Sequence, residues 1–191
     1  MPAVVLVALL ALLPSCLSPR SAMRKKAEQG DAKAQYDLGM AYHEGEDVPQ
    51  DDAKAVKWFR KAAEQGYAEA QCELGCAYYD GKNVPKDITE SVKWFRKAAE
   101  QGHAASQDVL GLAYSTGQGV PQDLAEAVKW WRKAAEQGYI LAQYSLGMVY
   151  KEGKGVPRDY AEAAKWYRKA AGQGSARARK QLEELEKDKK K

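Results

Sequence analysis

The sequence is short of cysteine, histidine and phenylalanine, with three, two and two of them in 191 residues, and beyond its first residues it has no long apolar run. Each shortage excludes something. Three cysteines make no disulfide framework for a secreted domain: Cys16 stands apart, and Cys72 and Cys76 are four apart on one expected helix, where a bridge would be strained. There is no H-E-x-x-H, S-x-x-K, G-x-S-x-G, G-x-x-x-x-G-K-[ST] or C-x-x-C. His43 and His103 have no serine or cysteine partner in reach, so each is expected as a surface residue or a core hydrogen bonder, and neither supports an enzyme. A charge excess is also missing. The net charge is +4, but the tail from Ser175 holds seven basic and four acidic residues, which leaves the body balanced at 23 against 22 and argues against a nucleic-acid footprint. Isoleucine and valine are sparse while Ala, Tyr, Lys, Glu and Gln abound, a mix that favours helix.

The N-terminus is composed differently. Ala3 to Leu13 is an almost pure Ala/Val/Leu run, too short for the ~20 residues of a membrane span, and it precedes small residues and Cys16. It reads as the apolar core of a secretory leader over residues 1–22. Leu13-Pro14-Ser15-Cys16 resembles a bacterial lipobox, in which Cys16 would be lipidated, although Pro14 is an unusual neighbour and no basic residue precedes the run. An ordinary cleaved signal and an uncleaved anchor remain the alternatives. The expected location is secreted or in the cell envelope, with membrane contact only through this leader.

What the chain has in abundance is itself. KWFRKAAEQG at 57–66 returns at 93–102, as KWWRKAAEQG at 129–138 and as KWYRKAAGQG at 165–174, and Gly30, Gly66, Gly102, Gly138 and Gly174 stand 36 apart without an insertion. Four full units follow, 31–66, 67–102, 103–138 and 139–174. A partial unit (23–30) precedes them, and a capping helix with a basic tail (175–191) follows. In unit one, Ala34, Leu38, Ala41 and Tyr42 recur at helical spacing and predict a first helix from about Asp31 to Glu44, ended by Gly45 in a left-handed cap. The loop carries Asp47, Asn83, Gly119 or Gly155, residues that tolerate positive φ, then Val-Pro. Asp51, Asp87, Asp123 and Asp159 are predicted to cap a second helix. Glu90, Glu126 and Glu162 would complete a capping box, whereas unit one has Lys54 there and should fray more easily. On that second helix Ala55, Trp58, Phe59, Ala62, Ala63 and Gly66 form one apolar stripe. Gly39, Gly75, Gly111 and Gly147, in mid-helix, predict close packing.

A single helical pair cannot bury both its faces, so such pairs must stack. The unit, A-x-A-Q-x-x-L-G-x-x-Y-x-x-G-x-x-V-P-x-D followed by A-x-K-W-[FWY]-R-K-A-A-E-Q-G, resembles the Sel-one-like repeat family, a relative of tetratricopeptide repeats, over residues 31–174. The resemblance implies an all-α, right-handed αα-solenoid of four 36-residue helix-turn-helix repeats, with a C-terminal capping helix in which Leu182 takes the Leu38 register. It also implies a first helix that lines the concave side and a role as a protein-interaction scaffold.

The columns that vary between units lie opposite Leu38 on the first helix, and they are the candidate binding residues. Met40, Cys76, Leu112 and Met148 form the centre, flanked by Tyr36, Cys72, Asp108 and Tyr144 and by His43, Tyr79, Ser115 and Lys151. Met, Cys, Leu and Tyr suit a peptide or partner helix of unknown identity, because thioethers adapt and tyrosine offers both area and a hydroxyl. Alternatively, the Met40 column packs between adjacent first helices. Leu141 adds an aliphatic group near the C-terminal end, either for a partner or for the capping helix. A convergence of Met40, His43, Cys72 and Cys76 on copper(I) or zinc is a further possibility. Some cysteine-rich relatives are described as penicillin-binding or β-lactamase proteins, which keeps a hydrolase as the other class. No cofactor is expected, and a monomer is.

Overall fold

The computed structural model describes residues 19–46 and 48–188. The apolar run, Cys16 and Asp47 lie outside them. Among the described residues there are ten helices and no strand: α1 (Pro19–Glu28), α2 (Ala32–Glu44), α3 (Asp52–Glu64), α4 (Ala68–Asp80), α5 (Ile88–Glu100), α6 (Ala104–Thr116), α7 (Leu124–Glu136), α8 (Ile140–Glu152), α9 (Tyr160–Gly172) and α10 (Ala176–Asp188). Each packs mainly on the helix before and the helix after it, and α10 also touches α8. This is the contact pattern of an α-solenoid.

The helix ends follow from the loop chemistry. Each first helix stops at a left-handed glycine, Gly45, Gly81, Gly117 or Gly153, with φ of 71°, 75°, 74° and 72°. Asn83 is the one described non-glycine residue with positive φ, 57°, matching Gly119 and Gly155 one and two repeats on. Each second helix is capped by its aspartate: Asp51, Asp87, Asp123 and Asp159 accept from the backbone N–H three residues on, at 2.9 Å.

The expected capping box forms only by half. The backbone N–H of each cap residue is already bonded to a tyrosine carbonyl of the first helix, as Asp87 N–H is to Tyr78 at 3.0 Å, so the glutamate has no donor to reach back for. Glu90, Glu126 and Glu162 instead pair with Lys93, Lys129 and Lys165 on the same helix. Unit one is not left worse off. Lys54 pairs with Asp51 at 2.9 Å and lies over the Tyr42 ring.

The stripe on the second helix forms the core. Phe59, Phe95, Trp131 and Tyr167 are buried, and each presses its ring on the mid-helix glycine of its own repeat. A Cβ built on Gly39 would meet Phe59 at 2.6 Å, and one on Gly147 would run into the Tyr167 ring. The glycine is what admits the aromatic. Trp94, Trp130 and Trp166 are buried on the other side of the stripe, each with a lysine over its ring, as Lys97 stands 3.9 Å above Trp94. Trp58 in unit one is only half-buried.

Glutamines tie the repeats together. Gln35, Gln71, Gln107 and Gln143 are buried, and each donates to an alanine carbonyl in the preceding repeat, Gln71 to Ala63 at 3.1 Å. Each also accepts from the glutamine that ends its own second helix, Gln71 from Gln101 at 2.7 Å. The buried amide is thereby satisfied, which removes the penalty of burying it. At the C-terminal end Ala178 and Leu185 are buried, but Leu182, in the Leu38 register, is only partly so.

Candidate functional site: the first-helix face

First helices touch one another little, because each is wedged between two second helices. The variable columns are therefore left facing out. Leu112 is 55% exposed, Met148 36%, Cys76 exposed and Met40 half-buried, so the Met40 column is surface and not inter-helix filling. Tyr79 is exposed, while Tyr36 and Tyr144 are half-buried: Tyr36 packs on the rings of Phe59 and Tyr67, and Tyr144 on that of Tyr167. Leu141 is 57% exposed, and it is Ile140 that packs on the buried cluster to which Ala178 and Leu185 of the capping helix belong.

Charges on this face are mostly acidic. Burial pushes the Asp108 carboxyl up to about 6, against the opposing hydrogen bond from Trp131. Burial likewise raises Glu73, followed by the nearby Cys72. Burial also pushes Tyr36 up to about 12.

Two expectations require correction. Met40, His43, Cys72 and Cys76 do not converge: His43 Nδ1 is 2.8 Å from Asp52 Oδ1 on α3, and among the described residues no group of three His, Cys, Asp or Glu is placed to hold a metal. His103 also has partners in reach, contrary to expectation. It caps α6, with Nδ1 2.9 Å from Ser106 Oγ, and its ring lies close enough to Cys72 of the preceding repeat to lower that thiol. Its pairing crosses a repeat boundary, which a one-helix view cannot anticipate. Hydrogen bonds from Cys76 and then from His103 and Ser106 lower the Cys72 thiol against the effect of burial, while Cys72 and burial push Cys76 up. Both cysteines are free.

Two clefts open on the face, in the same place one repeat apart. One, of about 180 Å³, lies between α2 and α4 over α3, and its walls include His43, Asp52, Glu73, Asp80 and Lys82. The other, of about 300 Å³, lies between α4 and α6 over α5, and there Tyr79, Ile88, Val109 and Leu112 stand where His43, Asp52, Glu73 and Cys76 stand in the first. Their floors correspond, Val56 and Phe59 in one and Val92 and Phe95 in the other. Sequence reasoning missed Ile88, Val92 and Val109. The signal was present in the columns Asp52/Ile88 and Glu73/Val109, which change chemistry between units.

A model of the Sel1 repeat matches residues 32–67, 68–103, 104–139 and 140–175. The chain belongs to the Sel1 repeat family. Among solved Sel1-like structures it is similar to a protective antigen present in uropathogenic Escherichia coli strains, with an SLR fold, at 47% identity and a TM-score of 0.82, over 85% of this chain and 35% of that one. A Sel1 repeat protein from Oxalobacter formigenes is 38% identical with a TM-score of 0.78, over 85% of this chain and 65% of that one. Helicobacter pylori cysteine rich protein B is 26% identical with a TM-score of 0.51, over 65% of this chain and 95% of that one. The chain thus spans about a third of the first of these and under two thirds of the second. No curated protein matches it.

Proposed function

We propose that this Sel1 repeat protein is an interaction scaffold, in the secretory path or cell envelope, that binds a protein or peptide on its first-helix face. Sel1 repeat proteins in general are protein-interaction scaffolds. The observation that carries the reading is the placement of Tyr79, Leu112, Leu141 and Met148, four of the five large exposed apolar side chains among the described residues, on first helices. The second helices instead expose the lysines of each K-W-x-R-K segment. An apolar set left uncovered on one face marks an interaction surface. Replacing Tyr79, Leu112 and Met148 together with serine is expected to abolish crosslinking capture of the native partner while leaving far-UV helicity unchanged. Capture that survives would move the site to the other face or to the loops. Comparison with a Cys16→Ala form tests the leader, since a lipid anchor through that residue would be lost and the protein released from the membrane fraction.

Hydrolysis is the second reading, favoured by Cys72 held beside His103 and Ser106. Turnover of nitrocefin by purified protein, absent in Cys72→Ser, would displace the scaffold reading; no turnover disposes of it.

A further inference from the structure

The two clefts have one architecture and two chemistries, and they are neighbours. Cys76 and Asp80 line both, so a segment lying along the first-helix face passes from one into the other. Apart from Asp80, the lining of the larger cleft carries no charge, and Val109, Leu112, Ile88, Val92 and Phe95 surround about 300 Å³ of space. That is room for a branched aliphatic or an aromatic side chain.

The smaller cleft is acidic. Asp52 has the His43 ring at 2.8 Å and Asp80 has Lys82 at 3.8 Å, both in exposed pairs. Glu73 is different: among the described residues no lysine or arginine pairs with its carboxylate, only the His43 and His103 rings act on it from nearby, and burial already penalises its charge. A guanidinium or ammonium entering the cleft would restore the stabilisation that burial removes. Elsewhere on the face Glu69 is exposed and Asp37 is matched only by Lys33 on its own helix. Most cations of the repeats sit on the second helices, with Lys61, Lys97, Lys133 and Lys169 over tryptophan rings.

Resting on the scaffold reading, we infer that the face selects a partner segment with an apolar side chain for the cleft between α4 and α6 beside a basic one for the cleft between α2 and α4. An acidic peptide or a nucleic acid meets Glu69, Glu73 and Asp80 with like charge. A purely apolar segment leaves Glu73 buried further without compensation. Neither cleft alone defines the occupant, but the adjacent pair does.

The test uses the full chain and three synthetic peptides of equal length, one with leucine and lysine, one with leucine and glutamate, and one with serine and lysine. Binding is followed by fluorescence anisotropy. The leucine/lysine peptide is expected to bind about ten-fold more tightly than either other peptide. Glu73→Gln should weaken it several-fold without affecting the leucine/glutamate peptide, and Leu112→Ser should weaken both leucine peptides. Glu136→Gln, on the exposed side of α7, should change nothing. Far-UV melts verify that each variant is folded. If Glu73→Gln leaves leucine/lysine binding intact while Leu112→Ser abolishes it, the basic subsite is wrong and the scaffold face stands. Indifference of all three peptides to both substitutions removes the face as well. A dimer that the leucine/lysine peptide fails to dissociate, and that Leu112→Ser does, would name a second copy as the occupant and overturn the inference.

Discussion

The clefts over α3 and α5 are the same piece of backbone built twice. Each has a valine and a phenylalanine as its floor, with the phenylalanine ring pressed on a mid-helix glycine. The rims differ, Asp52 and Glu73 in one against Ile88 and Val109 in the other, and so does one buried wall position, Ala55 against Ser91. Stability is held in the part that repeats, and selectivity in the part that does not. The reason is burial: the floor residues Val56, Phe59, Val92 and Phe95 are buried, while the rim residues keep contact with the solvent.

The largest effect should come from the floors and should be equal in both. Phe59→Ala and Phe95→Ala each remove a buried ring, 4% and 3% exposed, and should lower stability by about 3–5 kcal/mol in chemical denaturation. A cost in one and not the other would break the equivalence of the two clefts. Next come the glycines. A methyl on Gly39 meets the Phe59 ring at 2.6 Å and one on Gly75 meets Phe95 at 3.0 Å, so Gly39→Ala should destabilise by about 1–3 kcal/mol and Gly75→Ala by less. Alanine's better helix propensity offsets about 1 kcal/mol in each. An equal midpoint shift in both would mean that the tighter contact relaxes.

The rims should behave in the opposite way. Leu112→Cys, which gives the larger cleft the residue its neighbour has, should change stability by no more than about 0.5 kcal/mol because the side chain is exposed. It should nevertheless weaken capture of any apolar segment. A large loss of stability would show that the rim is part of the core.

The smallest expected effect is electrostatic and depends on pH. Asp108 titrates near 6 in the folded chain, above the ordinary aspartate value, so its charged form is disfavoured and weakens the fold above pH 6. That penalty is lost as pH falls through 6 toward the value of the unfolded chain. Asp108→Asn should therefore raise the melting temperature at pH 7.5, with the difference closing toward pH 4. A difference that does not vary with pH would place the effect in packing.

Much of the fold is legible in the residues. The period of 36, the caps at Gly45 and Asp51 and their copies, and the glycine under each aromatic all rest on local chemistry that the repeat writes four times. The capping box fails for a tertiary reason that the residues do not display: the donor that Glu90 needs is held by Tyr78, on another helix. The glutamine ladder is not legible for a related reason, since a recurring Gln71 gives no hint that its partners are Ala63 and Gln101. The candidate face was legible as a set of columns. Its subdivision was not, because Ile88 belongs to a second helix and joins Leu112 only when α5 packs between α4 and α6.

The sequence by itself determined the helical pair, its length and its repetition, because capping, turn chemistry and the spacing of apolar residues act within a few residues of chain. Only the tertiary structure decided which varying residues meet. Wedging each first helix between two second helices leaves the Met40 column uncovered, brings His103 to Cys72, and sets a charged and an apolar cleft side by side. Those meetings span repeat boundaries, where the distance along the chain carries no information about distance in space.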